Sequence, residues 1–236
     1  MRVAFLTNQT THHAQFVREL LPAAEVIGSV LETTGVTPPF DTGHAYLEKQ
    51  SEFEVQKFFG GDDCQIADLA PAASFANIND PGVVETVQEW QPDLTVAFGV
   101  RRVKPEVINA IPGQLLNLHG GDPEEYRGLD THLWAIYHSD FNALVTALHV
   151  LAPRLDTGNI VQIAKIPVYA GMPLHELRAA NTQVCIDLVR GAIDTLNSKG
   201  EIPTTPQRKL GRYYSFMPSV MKDVVKRRFE AHTAKL

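Results

Sequence analysis

The sequence has few cysteines and no long apolar stretch. Its 236 residues include two cysteines, Cys64 and Cys185, which lack CxxC spacing and are too few for a disulfide framework. No segment approaches the roughly 20 consecutive apolar residues of a membrane span. The first residues lack the small-residue cleavage site of a secretory signal peptide. We therefore expect a cytoplasmic protein with reduced thiols and no membrane partner.

An excess of positive charge is absent as well. The chain carries 21 Lys and Arg against 27 Asp and Glu, a formal charge of −6. Proteins that neutralise nucleic-acid phosphates need surplus basic residues, so no nucleic-acid partner is predicted. One segment, residues 222–236, is locally basic. It is interpreted as a solvated helix face, with contact to a substrate's phosphates as the alternative.

Short apolar runs and helical spacings alternate along most of the chain, as is typical of an α/β domain. The run at 93–100 is almost continuously apolar, like a central parallel strand. The GxGxxG fingerprint of dinucleotide-binding proteins is absent. We expect a Rossmann-like core with a mixed, mostly parallel sheet. Strands are predicted at 2–7, 25–32, 93–100, 113–119, 143–152 and 159–168, and helices at 14–21, 45–59, 81–90, 104–111, 131–140 and 173–200.

Residues 33–61 interrupt this alternation with a loop rich in Pro and Gly and then a helical pattern. We interpret them as an insertion on the domain. The last long helical pattern ends near Gly200, a residue type common just after a helix. The sequence therefore predicts a catalytic domain at 1–200 and a short C-terminal extension at 201–236.

Asn117, His119 and Asp156 form the candidate catalytic site. Asn117 and His119 are two residues apart near the end of a strand, so their side chains point the same way, at the edge where open α/β sheets bind ligands. An amide can donate to an oxyanion, a histidine can move a proton near neutral pH, and an aspartate can orient the imidazole or hold a water. No Ser or Cys nucleophile is evident beside them. The set suits direct attack by an amine on an acyl donor.

Each of these residues also has an ordinary structural interpretation. An Asn at a strand exit is usually a turn former, and a lone His is usually a satisfied structural residue. Asp156 also begins one of two Asp-Thr-Gly triplets, and aspartic proteases pair two carboxylates. The other triplet, at 41–43, follows no strand, so we treat it as coincidence. A binding module without turnover is a further alternative, which the intact Asn-His-Asp set disfavours.

Residues 93–168, roughly a third of the chain, resemble the core of the folate-dependent formyltransferases. The family pattern has Asn-x-His, a Tyr/Phe-Arg-Gly turn, a helix with Trp-Ala, a strand with an inward His, and Asp-x-Gly. This chain has, in the same order, Asn117 and His119, Tyr126-Arg127-Gly128, Trp134-Ala135, His149, and Asp156-Thr157-Gly158. One departure is Gly120-Gly121-Asp122-Pro123, where the family often has Pro-Ser-Leu-Leu-Pro. In the family that loop faces the amine substrate, so the departure bears on which amine is used.

The resemblance implies N10-formyltetrahydrofolate as formyl donor. In the family, the pterin lies between the loop after the central strand and the loop before the catalytic Asp. Here those loops supply Phe98, Gly99, Val100, Arg101, Arg102, Val103, Leu151, Ala152, Pro153 and Asp156. No metal is expected, because His12 and His13 have no third ligand at metal-site spacing.

A nucleotide-linked amino sugar is implied as acceptor, since the insertion and the tail resemble those of sugar N-formyltransferases. One of two adjacent tyrosines would stack on the base, and the basic tail would meet the diphosphate; packing of the tail on the core is the alternative. The turn after the first strand matches the phosphate position of glycinamide ribonucleotide formyltransferase, and helix N-termini favour phosphate. The predicted acceptor contacts are Asn8, Thr10, Thr11, His12, Gly120, Gly121, Tyr126, Arg127, Tyr213 and Tyr214.

The implied reaction is formyl transfer to the amine of a GDP- or dTDP-linked amino-dideoxy sugar, for bacterial surface glycans such as the O-antigen of lipopolysaccharide. His119 would be the base, Asn117 would stabilise the oxyanion, and Asp156 would orient His119 or a water and help protonate the folate nitrogen. Glycinamide ribonucleotide or another small amine is the alternative acceptor. Sugar N-formyltransferases are often homodimers, although no interface stripe is evident in this sequence.

Overall fold

The computed structural model describes residues 1–236 and contains nine strands. Seven form one sheet in the order β3-β2-β1-β4-β5-β7-β8, and β6 pairs with β9 separately. The five strands from β3 to β5 in this order are parallel, and β7 is antiparallel to both of its neighbours. The predicted mixed, mostly parallel sheet is confirmed. The strands are β1 Arg2–Thr7, β2 Glu25–Glu32, β3 Ala72–Phe75, β4 Leu94–Phe98, β5 Gln114–Gly120, β6 Tyr126–Gly128, β7 Val145–Val150, β8 Ile160–Lys165 and β9 Arg212–Tyr214.

Eight α-helices cover the sheet and its edges. They are α1 Thr11–Leu20, α2 Ala45–Phe59, α3 Ile66–Leu69, α4 Pro81–Trp90, α5 Pro105–Ala110, α6 Thr131–Tyr137, α7 Leu177–Lys199 and α8 Ser219–Thr233. Local chemistry sets several of their ends. Asp80 caps α4 by accepting the N–H of Gly82 at 2.9 Å, next to Pro81 at the first helical position. Gly60 and Gly200 end α2 and α7 in the left-handed conformation, with φ of 66° and 75°.

Both faces of the sheet are buried, which explains the continuous apolar runs in β1 and β4. One face packs against α1 and α7 through residues such as Phe5, Phe16 and Ile186. The opposite face packs against α4 and α5 through Leu6 and Val87, among others. These two helical layers hold in place the strand ends that carry the candidate site residues. None of the helices combines the length and apolar character needed to span a membrane.

A third apolar cluster joins the C-terminal segment to the rest of the protein. Phe229 and Val225 of α8 are fully buried with Ile136 of α6 and Met217. The basic segment is therefore helical, with one apolar face packed on α6. The helix predicted in the insertion is present as α2, and the division into 1–200 and 201–236 remains a prediction.

Three features differ from the predictions. The first helix begins at Thr11 and not at residue 14, because Thr10 has the extended backbone of an N-cap, so His12 and His13 are helical. The short strands β3, β6 and β9 were not predicted, since three or four residues are too few to show a period. Three predicted elements are shorter in the structure. The strands over 143–152 and 159–168 are limited to Val145–Val150 and Ile160–Lys165, and the helix over 173–200 to Leu177–Lys199.

Candidate active site

Strands β5 and β7 place Asn117 directly opposite His149 in an antiparallel pair. Opposed side chains lie on the same face of a sheet, and His119 shares that face. Nδ2 of Asn117 lies 3.1 Å from Nε2 of His149, whose Nδ1 lies 2.8 Å from the carbonyl oxygen of Val150. A carbonyl only accepts, so Nδ1 carries a proton, and Nε2 when unprotonated accepts one N–H of Asn117. His149 thereby orients the Asn117 amide and leaves its second N–H for a ligand.

The main chain holds His119 in one tautomer. Its Nε2 lies 2.7 Å from the carbonyl oxygen of Tyr126, so Nε2 carries the proton and Nδ1 is the basic nitrogen. Nδ1 lies 3.5 Å from Oδ1 of Asp156. Burial lowers the pKa of His119 below its usual value, although Asp156 and the Tyr126 carbonyl oppose the shift. The ring is therefore neutral at physiological pH, as a base must be.

Asp156 is the charged member of the site. Its Oδ2 accepts the N–H of Gly128 at 2.8 Å, and its Oδ1 lies 3.7 Å from Nε2 of His149. Burial alone would raise the pKa of Asp156, but His149, His119 and the Gly128 N–H together lower it to about 2. The carboxylate is therefore ionised, and it can balance a positive charge on His119.

Two side chains outside the trio hold the loop that carries Asp156. Nε of Arg127 donates to the carbonyl oxygen of Leu155 at 3.1 Å. Nε2 of Gln207, from the C-terminal extension, donates to the carbonyl oxygens of Asp156 at 3.0 Å and Gly158 at 2.8 Å. Asp156 itself has φ of 53°, which is uncommon for a residue with a side chain. These bonds stabilise that conformation and aim the carboxylate at the two histidines.

A cavity of about 970 Å³ opens over the trio. Small-molecule sites span about 300–1,000 Å³, so this cavity lies at the large end of that range. The predicted site residues that line it are His12, Phe98, Gly99, Val100, Arg101, Arg102, Val103, Asn117, His119, Gly120, Leu151, Ala152, Asp156 and Tyr213. Both loops expected to hold the folate are therefore at the cavity.

The other predicted residues do not line the cavity. Tyr126 stacks on Tyr214 with ring centroids 5.4 Å apart, and Tyr214 also stacks on Trp134 at 5.3 Å. Asn8 donates to the carbonyl oxygen of Gly99. These contacts build the wall from behind. The predicted residues that do not line the cavity are Asn8, Thr10, Thr11, Gly121, Tyr126, Arg127, Pro153 and Tyr214.

Two buried histidines begin α1. Oγ1 of Thr10 lies 2.9 Å from Nδ1 of His12 and 2.8 Å from Nδ1 of His13, and Thr10 makes no side-chain cap to the helix. Burial, reinforced by the nearby charge of Arg178, lowers the pKa of His13 to about 3. Burial also lowers the pKa of His12 well below its usual value. Both rings are thus neutral polar groups, and His12 is the one that lines the cavity.

The loop after β4 is fixed by two side chains that sequence reasoning did not select. The buried carboxylate of Glu32 accepts the N–H of Arg101 at 3.0 Å and that of Ile78 at 2.9 Å. The side chain of Asn79 accepts the N–H of Lys104 at 2.6 Å and donates to the carbonyl oxygen of Arg102 at 3.0 Å. This loop, one wall of the cavity, is therefore held at both ends.

Sequence reasoning also missed the wall formed by α2 and α7. Glu54 of α2 is fully buried and accepts Nε and Nη2 of Arg178, each at 2.7 Å. The amide of Gln50, oriented with its oxygen toward the guanidinium, accepts from Nη1 at 2.9 Å. Arg178, Gln50 and Asn181 line the cavity. Glu54 and Arg178 are 124 residues apart, and no spacing in the sequence relates them.

The first Asp-Thr-Gly triplet is not part of the cavity lining. The carbonyl oxygen of Asp41 accepts the N–H of Ser219 at 2.9 Å, and Nζ of Lys222 donates to the carbonyl oxygen of Thr42. The triplet therefore ties the loop before α2 to α8. No group of three or more His, Cys, Asp or Glu residues is arranged to hold a metal ion.

A neutral imidazole, an oriented amide donor and an ionised carboxylate meet at a strand end of a Rossmann-like sheet, an arrangement that suits transfer of an acyl group to an amine. Comparison with known families gives the particular class. The model described as "Formyl transferase" matches residues 36–184, and the chain belongs to this family.

Individual relatives agree with this assignment. Phosphoribosylglycinamide formyltransferase of Escherichia coli is 31% identical over 104 residues, 44% of this chain and 49% of the relative. The chain spans about half the length of the curated relatives it matches, or less. A sugar N-formyltransferase structure from a Shewanella species has a TM-score of 0.60 at 11% identity, covering 97% of this chain and 87% of that one. An N-formyltransferase from Helicobacter canadensis, in complex with folinic acid and dTDP-3-aminofucose, has a TM-score of 0.59 at 14% identity, covering 91% and 71%.

Proposed function

We propose that this protein transfers the formyl group of N10-formyltetrahydrofolate to the amine of a GDP- or dTDP-linked amino-dideoxy sugar, for bacterial surface glycans. The observation that carries the proposal is the geometry of Asn117, His119 and Asp156 inside one large cavity. Family membership supports the formyl group. The Helicobacter relative was solved with folinic acid and a nucleotide-linked amino sugar, which supports the pair of substrates.

The three side chains have separate roles in the proposed reaction. As the amine nitrogen bonds to the formyl carbon, Nδ1 of His119 accepts a proton from that nitrogen. The free N–H of Asn117 donates to the formyl oxygen as it gains negative charge, which typically contributes about 3 kcal/mol. Asp156 stabilises the positive charge on His119. The proton then passes to the N10 atom of the folate as the bond between N10 and the formyl carbon breaks.

The walls on the donor side fit a folate ring. Val100, Val103, Leu151 and Ala152 contribute apolar surface to this part of the cavity. The main chain of the two facing loops is fixed, as described above for Glu32 and Arg127. A flat heteroaromatic ring between such loops is recognised through backbone N–H and C=O groups, and apolar side chains cover its faces.

The acceptor side is polar and contains one guanidinium. Arg178 lies at the cavity with its Nε and one Nη2 proton used by Glu54, so further N–H groups are available for a diphosphate. Residues 222–236 do not line the cavity, and we therefore assign the diphosphate to Arg178 and not to the basic tail. Tyr213 lines the cavity and is 53% exposed, so it is the tyrosine we assign to base stacking.

A second candidate acceptor is glycinamide ribonucleotide. The identity to the Escherichia coli phosphoribosylglycinamide enzyme favours it, and Arg178 suits its single phosphate as well. The opening turn, residues 7–13, lacks the Gly/Ser-rich phosphate loop of that enzyme, which disfavours it. The assay below therefore includes both glycinamide ribonucleotide and the nucleotide sugars as acceptors.

A mass-spectrometric assay tests the proposal. The protein is mixed with N10-formyltetrahydrofolate and GDP-perosamine, dTDP-4-amino- and dTDP-3-amino-dideoxy sugars, or glycinamide ribonucleotide. We expect one nucleotide sugar to gain a formyl group, and a variant with both Asn117→Ala and His119→Ala controls for background transfer. Formylation of glycinamide ribonucleotide alone would show that this compound, and not a nucleotide sugar, is the acceptor. Binding of folinic acid with no formylation of any member would indicate a folate-binding relative without turnover on these amines.

A further inference from the structure

The buried face of α2 is polar, whereas a helix on the surface of a domain normally buries an apolar stripe. Its three buried residues are Tyr46, Gln50 and Glu54, each at most 6% exposed. They are spaced four residues apart, so they lie on one side of the helix. Tyr46 and Gln50 line the cavity. Helix α2 therefore turns polar groups, and not an apolar stripe, toward the cavity.

The hydroxyl of Tyr46 has no partner in the protein. The main-chain N–H of Tyr46 donates to Nδ1 of His44 at 3.2 Å, but the hydroxyl makes no hydrogen bond and is not one of the enclosed polar atoms that lack a partner. Because the residue is almost fully buried and lines the cavity, its hydroxyl is open to the cavity. The hydroxyl of a buried tyrosine usually has a hydrogen-bond partner, so we expect that partner to be a ligand.

The groups that surround this hydroxyl on the wall are donors. With its oxygen on Nη1 of Arg178 at 2.9 Å, the amide of Gln50 has only N–H groups left to offer. The carboxylate of Glu54 is occupied by Nε and Nη2 of the same guanidinium, so no carboxylate on the buried face of α2 is free. Burial raises the pKa of Tyr46, so its hydroxyl keeps its proton. Tyr46, Gln50 and Arg178 can therefore all donate to a ligand.

We propose that Tyr46 donates to a phosphate oxygen of the acceptor, beside the guanidinium of Arg178, an inference that rests on the proposed function. Residues four apart on a helix have Cβ atoms about 5–6 Å apart, and Gln50 is hydrogen-bonded to Arg178. Tyr46 and Arg178 are therefore neighbours on one wall. Phosphate oxygens are anionic and only accept, which suits a surface that offers donors and no free carboxylate.

This proposal places the phosphate away from the start of α1, where the turn after the first strand was predicted to hold it. The hydroxyl of Thr10 is engaged by Nδ1 of His12 and Nδ1 of His13, at 2.9 and 2.8 Å. Neither Thr10 nor Thr11 lines the cavity. The insertion at 33–61, which contains α2, thereby supplies part of the acceptor site.

Tyr46→Phe removes one oxygen atom and no contact within the protein, so its free energy of unfolding should match that of wild type. Isothermal titration with GDP, dTDP and glycinamide ribonucleotide measures phosphate binding without turnover. We expect the Kd of the compound that binds wild type to rise about tenfold in Tyr46→Phe, with the Kd for folinic acid within about twofold of wild type. Tyr169→Phe is the matched control and should bind like wild type, because Tyr169 is exposed and does not line the cavity.

Inorganic pyrophosphate has neither base nor sugar, so an equal loss of its affinity in Tyr46→Phe would assign the hydroxyl to phosphate. If only the nucleotide sugars bind Tyr46→Phe more weakly, the hydroxyl contacts the sugar and the phosphate role is wrong. The role is also wrong if Tyr46→Phe binds every compound as wild type does, or if wild type binds none of the phosphate compounds. Formylation of an acceptor by wild type would keep the proposed function in these cases. If the expected loss is seen but wild type formylates no acceptor, the phosphate site stands and the proposed function fails.

Discussion

Nδ1 of His119 lies 3.5 Å from Oδ1 of Asp156, and both side chains are almost fully buried. Before a proton arrives, a neutral ring faces an ionised carboxylate. After it arrives, the same two atoms form an ion pair where screening by water is weak. The arrangement therefore stabilises the protonated form of His119 when a substrate delivers the proton, although burial keeps the resting ring neutral.

Asp156→Asn tests this relationship. Asparagine tolerates the left-handed backbone that Asp156 adopts, so the fold should be kept while the charge is lost. We expect kcat to fall by about a hundredfold or more, with the Kd for folinic acid little changed. Asp62→Asn, at an exposed carboxylate, is the matched control and should retain full activity. A loss of less than threefold in Asp156→Asn would remove the carboxylate from the reaction.

Asn117→Ala removes the proposed donor to the formyl oxygen. We expect the rate to fall by about a hundredfold or more while folinic acid binding is largely kept, because the donor acts on charge that develops only during reaction. Steady-state kinetics and a binding titration check both parts. Asn142→Ala, at an exposed position in the same chain, controls for the loss of an amide elsewhere. A loss below tenfold would exclude Asn117 from this role.

Four histidines with lowered pKa values predict how the free energy of unfolding depends on pH. The pKa values of His12, His13, His119 and His132 are all lowered in the folded protein, whereas an unfolded histidine titrates near pH 6.5. As pH falls through this value, the unfolded chain binds protons first. The free energy of unfolding should be level above about pH 7 and then decrease toward pH 4, by up to about 1.4 kcal/mol per pH unit for each histidine.

Urea unfolding at a series of pH values measures this dependence. His132→Gln removes one of the four groups. The slope of its unfolding free energy against pH, between pH 6.5 and 4, should therefore be smaller than that of wild type by about one proton. A slope in wild type of less than one proton over this range would show that the rings are accessible to protons in the folded state. Asp156 contributes separately, because its pKa is lowered, and its stabilisation is lost only below about pH 4.

Much of the fold could be predicted from the sequence because each long element carries its own period. The continuous apolar run of β4 and the spacing in α7 indicate their types without any tertiary information. Asn117 and His119 were predicted to point the same way for a similar reason, since residues two apart on one strand share a face. Asp156 was located by its family motif, and the structure places it at the two histidines.

Other parts of the site depend on contacts that local sequence does not encode. The tautomer of His119 is set by the carbonyl of Tyr126, a group that every residue type carries. Tyr126 and Arg127 were predicted to touch the acceptor, yet the structure places them behind the wall, where Arg127 binds the carbonyl of Leu155. Only the path of the chain in three dimensions determines which of several polar residues reaches the cavity.

The ion pair between buried Glu54 and half-buried Arg178 provides the last prediction. Arg178→Gln leaves the Glu54 carboxylate buried without its partner, which typically costs about 3–5 kcal/mol. The double variant Glu54→Gln with Arg178→Gln has no buried charge, so it should be more stable than Arg178→Gln alone. Urea unfolding of wild type, both single variants and the double variant gives the coupling energy.

Lys226→Gln is the control for this cycle, because Lys226 and Glu230 form a partly exposed pair one helical turn apart in α8. There the loss in free energy of unfolding should be about 0.5 kcal/mol or less. If Arg178→Gln lowers the free energy of unfolding by no more than Lys226→Gln does, the wall formed by α2 and α7 does not depend on the pair of Glu54 and Arg178. If the double variant is stable but formylates the acceptor with a raised KM, the pair is dispensable for the fold and Arg178 is needed for the substrate. Stability and acceptor affinity would then be separate consequences of one buried carboxylate, which holds the guanidinium at the cavity wall.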